Sequence, residues 1–116
     1  MQFKLLLALV EDSRVEAILK AAREGGATGA TVITSARGEG LVKAKTFLGL
    51  DVAASRDVVL FVVEEHLSRR TLEAVAKAGC FEEQPGSGIA FQLTIEDAIG
   101  LGSQMRALSK KIEGEL

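Results

Sequence analysis

The chain has 116 residues, enough for one domain with a single core and no covalent staples. Apolar residues make up 47% and charged residues 26%, and a net charge of −2 with cations scattered among acids excludes a phosphate-backbone binder, which carries a basic face. Cys80 is the sole cysteine, which fits a reducing cytoplasm, and the apolar run 1–10 is too short for a membrane span and lacks a cleavage site for a leader.

Phe3, Leu5, Leu7 and Leu9 alternate with Lys4, Leu6, Ala8 and Val10, which predicts a first strand. Ser13 and Glu16 have the spacing of a capping box, and Val15, Ile18, Leu19 and Ala22 follow at helical spacing. Gly25-Gly26 stops that helix. A second strand runs over 31–37, starting near Ala30, and a strongly apolar third strand over 58–63.

The loop between them, 38–57, opens with Gly38-Glu39-Gly40. It is long beside the roughly two to five residues of an ordinary hairpin connection. Loops of this length in compact domains usually carry function or are disordered. Lys43, Lys45, Phe47, Leu48 and Leu50 mix charge with large apolar side chains, which favours contact with a partner over a solvated linker.

Further on, Ser68 is the expected N-cap of a second helix, with Leu72, Val75 and Ala76 facing inward and Gly79 at its end. Gln84-Pro85-Gly86-Ser87-Gly88 forms a turn cluster, and a fourth strand places Ile89, Phe91, Leu93 and Ile95 on one face. A short helical turn is expected over 96–101, then a C-terminal helix over about 102–113 with Leu101, Met105, Leu108 and Ile112 on one stripe. The order β-α-β-β-α-β predicts an α+β, ferredoxin-like antiparallel sandwich over a single domain, 1–116.

Such a sheet has one face for helices and one for water, yet 58–63 and 5–10 are apolar almost throughout. Each large side chain left exposed forfeits roughly 1.5–3 kcal/mol of burial. Either the C-terminal helix or other subunits must cover the second face, and contiguous apolar patches favour subunits.

The chain resembles the P-II signal transduction family. The residues that carry the likeness are Gly26-Ala27-Thr28-Gly29-Ala30-Thr31-Val32, Gly38-Glu39-Gly40, Gly86-Ser87-Gly88, Phe91 and Ile95-Glu96-Asp97-Ala98. The resemblance implies a homotrimer that binds an adenine nucleotide in clefts between subunits. It also implies that the long loop touches a target membrane transporter or enzyme. By position Thr31, Gly38 and Gly40 line one wall of the cleft and Gly86, Ser87 and Gly88 the other, with Arg37 placed to pair with a phosphate or carboxylate. Glycines there let backbone N–H groups approach a ligand closely.

The departures point to a smaller or less charged ligand. Ile89 stands where ATP-holding members have a lysine, and positions near Gly100 and Gly102 lack their two arginines. Glu82 and Glu83 precede the glycine loop, so AMP or ADP is expected ahead of ATP. The chain has no tyrosine, the residue modified in some members.

Two other readings use the same scaffold. An acylphosphatase-type hydrolase needs an asparagine, and the chain has none, while Glu11-Asp12-Ser13 is acidic where an anion would sit. A CutA-like trimeric module, metal-related or structural, would draw ligands from Glu64, Glu65 and His66, or from Cys80, Glu82 and Glu83. A lone histidine makes that a weak metal constellation. The expectation is a regulator without catalytic or metal site and without nucleic-acid partner.

Overall fold

The computed structural model describes residues 2–36, 46–47, 50–51, 56–103 and 105–106. In chain order the elements are β1 (Phe3–Val10), a 3-10 turn (Asp12–Arg14), α1 (Val15–Gly25), β2 (Ala30–Ala36), β3 (Thr46–Phe47), β4 (Leu50–Asp51), β5 (Arg56–Glu64), α2 (Glu65–Ala78) and β6 (Gly88–Thr94). Four strands form an antiparallel sheet in the order β2-β5-β1-β6, and β3 pairs with β4 separately. This is the expected ferredoxin-like α+β fold.

Register decides which side chains share a face. Leu6, Ala8 and Val10 stand opposite Phe61, Val59 and Asp57 on one side and Gln92, Ala90 and Gly88 on the other. Leu6, Ala8, Val10, Val59, Phe61 and Val63 are buried with Val15, Ile18 and Ala22 of α1 and Val75 of α2. That is the core between sheet and helices, and each such side chain contributes about 1.5–3 kcal/mol.

The intervening residues face the other way: Leu5, Leu7 and Leu9 beside Val62, Leu60 and Val58, and beside Leu93, Phe91 and Ile89. Ile33 continues the surface on β2 opposite Val58. These side chains shield one another only in part, and Ile33 and Leu93 are 49% and 47% exposed. The expected surplus of hydrophobicity is therefore a contiguous apolar face. At its far end Phe3 and Leu67 form a second small cluster with Val62, Ile95 and Leu101.

Both helix starts differ from expectation. Ser13 does not cap α1 as expected: it lies inside the 3-10 turn, closed by Arg14 N–H on Glu11 O and Val15 N–H on Asp12 O, and the residue before the helix is Arg14. Arg14, the residue before α1, is itself helical and makes no side-chain cap. Helix α2 begins three residues before Ser68, whose hydroxyl donates to Glu65 O at 2.8 Å. Its cap is Glu64, which accepts from His66 N–H at 2.8 Å, and a carboxylate there also complements the helix dipole. Glu65 N–H donates to Gln2 O, which fastens the helix start to β1.

Helix α1 ends as expected at Gly26, with φ +128°; a side chain there would also meet Leu67 Cδ1 at 2.7 Å. The expected third strand starts earlier, so Arg56 and Asp57 belong to β5 and not to the loop. The segment 96–101 is bent and not helical, its reversal marked by Gly100 at φ +101°. Gly102, Ser103, Met105 and Arg106 are helical, and the rest of the expected C-terminal helix lies outside the described residues.

Candidate functional site

The glycine loop is assembled from three directions. After α2 the chain turns at Gly79 and at Cys80, which has φ +56°. Gln84 N–H donates to Cys80 O, and Ser87 N–H to Gln84 O. The Ser87 side chain is 3% exposed and donates to Cys80 O at 3.0 Å, so its hydroxyl braces the loop instead of facing a ligand. Arg14, at the start of α1, reaches Gln84 Oε1 at 3.1 Å and Cys80 Sγ at 3.7 Å.

Phe81 supplies the floor. A Cβ on Gly88 would lie 2.3 Å from Phe81 Cε1 and 2.9 Å from Leu9 O, so the strand can pass the ring only without a side chain. Gly86 has φ +81°, and its carbonyl accepts from Arg56 at 3.4 Å. Glu82 and Glu83 are exposed just before the loop, and Ile89 faces the open sheet side in register with Leu9.

Thr31 is elsewhere. It pairs with Leu60 on β2, one edge of the sheet, whereas Gly88 opens β6, the other edge. Three strand spacings separate those edges, roughly 14 Å. Gly86, Ser87 and Gly88 are thus together, and Thr31 is not with them in one chain. Arg37, Gly38, Gly40, Lys43, Lys45 and Leu48 lie outside the described residues; Phe47 and Leu50 are paired between β3 and β4.

Two concavities lie away from this loop. One of about 600 Å³ is an open groove between α1 and α2 near Ala21, Gly25 and Ala74, and the other, about 330 Å³, lies beside Phe3, Ile95 and Gly100.

The metal reading finds donor atoms of Glu64, Glu65 and His66 within 4.8 Å of one another. Glu64 is only 2% exposed, and both its oxygens are used by His66, one by the backbone N–H and one by Nδ1 at 2.5 Å. The hydrogen bond to Glu64, then its charge, raise the His66 pKa above its ordinary value. This cluster is a helix cap. Cys80, Glu82 and Glu83 do not gather into a ligand set among the described residues.

Sequence reasoning missed Ser35, Arg56 and Asp57. Their signal was a charged pair directly before a six-residue apolar run, a place where strand side chains begin to alternate between faces. Asp57 is 9% exposed and accepts from Ser35 N–H at 3.3 Å, while Ser35 itself has φ +59°.

A four-stranded antiparallel sheet with two helices on one face and an apolar second face defines a ferredoxin-like domain. The family model for nitrogen regulatory protein P-II matches residues 3–104, and the chain belongs to that family. Its members are regulatory signalling proteins that form trimers and bind small effectors. No curated protein matches the chain significantly by sequence.

Among solved structures, the chain is similar to Arabidopsis thaliana PII bound to citrate (TM-score 0.65, 21% identity, 86% of this chain and 83% of that one). It is also similar to a PII-like signalling protein from Thermus thermophilus (TM-score 0.60, 19% identity, 82% and 87%). A third is CPII from Thiomonas intermedia, bound to ADP, AMP and acetate (TM-score 0.59, 19% identity, 83% and 90%). At these identities the likeness shows the fold. Among the described residues no helix is long and apolar enough to cross a membrane.

Proposed function

We propose that this chain, one domain over 1–116, is a trimeric P-II regulator whose intersubunit clefts take an adenine nucleotide, AMP or ADP ahead of ATP. The observation that carries the reading is the placement of Thr31 and the glycine loop on opposite sheet edges. A cleft using both needs β2 of one copy beside β6 of the next. The apolar sheet face gives those copies a reason to associate, since covering it removes some ten large side chains from water.

Thr31, Arg37, Gly38 and Gly40 form one wall in this reading and Gly86, Ser87 and Gly88 the other. Ser87 then shapes the loop without donating to the ligand, because its N–H is already bonded to Gln84 O and its Oγ to Cys80 O. Exposed Glu82 and Glu83 and the apolar Ile89 disfavour a triphosphate. The segment 37–55, with Lys43, Lys45, Phe47, Leu48 and Leu50, touches a target transporter or enzyme. The protein acts in the cytoplasm as a regulator and not as a catalyst.

A thermal-shift series with AMP, ADP and ATP tests this. A ligand that binds only the folded state at a hundredfold excess over its Kd adds about 2.7 kcal/mol of stability. AMP or ADP is expected to raise Tm more than ATP. A flat response to all three, in protein shown to be folded, overturns the nucleotide reading.

A further inference from the structure

Strand β2 ends at Ala36 and β5 starts at Arg56, and these two strand ends are bonded in an unusual way. Ile33 pairs with Val58 and Ala36 with Arg56, so Thr34 and Ser35 together oppose Asp57. That is a β-bulge, which leaves the ladder locally disrupted. Ser35 sits in the left-handed region at φ +59°, where a residue with a side chain is held only by its surroundings. Here the holder is Asp57, whose buried carboxylate accepts the Ser35 N–H.

Asp57 is in register with Val10 and so lies on the helix side of the sheet. Arg56, its neighbour in the strand, points to the opposite side. Its guanidinium donates to Gly86 O, just before β6, at 3.4 Å, although β1 stands between β5 and β6 in the sheet. One dipeptide thus grips the β2 bulge with one residue and the glycine loop with the other.

We propose that Arg56-Asp57 is a coupling element between the glycine loop and the root of the 37–55 segment. A change that moves the Gly86 carbonyl moves Arg56. Because the two residues share a peptide plane in an extended strand, the Asp57 carboxylate and the Ser35 bulge move with it. The coupling works in both directions, as any equilibrium linkage must. Its regulatory use rests on the nucleotide reading above, but the coupling itself belongs to the free chain and is measurable without ligand.

Hydrogen exchange on the full chain, read separately at 31–36 and 84–90, decides it. In ligand-free protein, Arg56→Gln removes the bond to Gly86 and should speed exchange in both segments by about two- to tenfold, the range for one lost hydrogen bond. Arg56→Lys should fall between. Gly86→Ala, strained at φ +81°, should speed exchange at 31–36 although it lies two strands from β5. If either glutamine or alanine variant fails to fold, the lysine variant and the ligand arm still report. In that arm AMP should slow exchange at 31–36 less in Arg56→Lys than in the wild type, while raising Tm in both.

Wild-type exchange at 84–90 in Arg56→Gln, or at 31–36 in Gly86→Ala, overturns the coupling. The same holds if AMP slows exchange at 31–36 equally in the wild type and Arg56→Lys. If AMP shifts Tm in no variant but the ligand-free effects appear, the coupling stands and the nucleotide reading falls.

Discussion

Leu7 is the most informative position on the open sheet face, because it sits on a central strand with Leu60 and Phe91 on either side. In the single chain it is only half-buried, so Leu7→Ala should cost the isolated fold a modest amount. In a trimer closed over this face its side chain is removed from water completely. Truncation deletes three carbons, about 2.4 kcal/mol at roughly 0.8 kcal/mol per carbon, and about half of that, roughly 1.2 kcal/mol per copy, belongs to assembly because the rest is already buried in the single chain. Threefold symmetry repeats the loss in each subunit, for about 3.6 kcal/mol per trimer. At about 1.4 kcal/mol per tenfold, the association constant should fall by about two to three orders of magnitude. Sedimentation equilibrium over a concentration series measures this directly, with Lys20→Ala on exposed α1 as a control that should leave assembly unchanged. Far-ultraviolet circular dichroism checks that the variant is folded. A wild-type chain that is monomeric at micromolar concentration, or a Leu7→Ala trimer as tight as wild type, would refute the assignment of this face to subunit contact.

Other outcomes test the construction of the site and the core. Gly88→Ala should destabilise by about 1–3 kcal/mol in denaturant titration through overpacking, and Phe81→Leu in the same chain should recover part of the loss because the ring is the obstacle. Phe61→Ala, at 2% exposure in the middle of the core, should cost about 3–5 kcal/mol by the same titration. The raised His66 pKa gives a signed pH dependence. Its contribution is complete below the unfolded value of 6.5 and is lost as pH rises through the folded value, so wild-type Tm should fall more than that of His66→Gln from mildly acidic to alkaline buffer. The exposed histidine keeps the effect small, and equal slopes for the two proteins would remove Glu64–His66 as a stabilising contact.

The arrangement joins fold to function directly. The helices bury one sheet face and leave the other apolar and partly exposed. The glycine loop then lies at one edge, and Arg56 ties it to the strand to which the long segment returns. An effector cleft at a subunit boundary would sense assembly, ligand and the segment's root together.

Much of this was legible residue by residue. Period-two alternation in β1 and β6, helical spacing in Val15, Ile18 and Ala22, and the stops at Gly26 and Gly79 are local signals, set by backbone geometry within a few residues. The apolar surplus of 58–63 was equally visible, since no monomeric antiparallel sheet needs two dry faces. Caps were less so. Ser13 and Ser68 have the right chemistry, but Ser13 falls inside a 3-10 turn and α2 starts three residues before Ser68 with Glu64 as its cap.

Strand register is what the residue order left undecided. It places Ile89, Phe91 and Leu93 on the open face, Thr31 an entire sheet away from Gly88, and Asp57 opposite a two-residue bulge. Those pairings join residues far apart in the chain, and their partners are selected by packing across the whole sheet. Composition and periodicity therefore determined that this chain folds as a sheet with helices and one dry face too many. Tertiary structure alone decided that Arg56 and Asp57 lie between the glycine loop and the long segment, because a side chain's neighbours across a sheet depend on register, which local sequence does not encode.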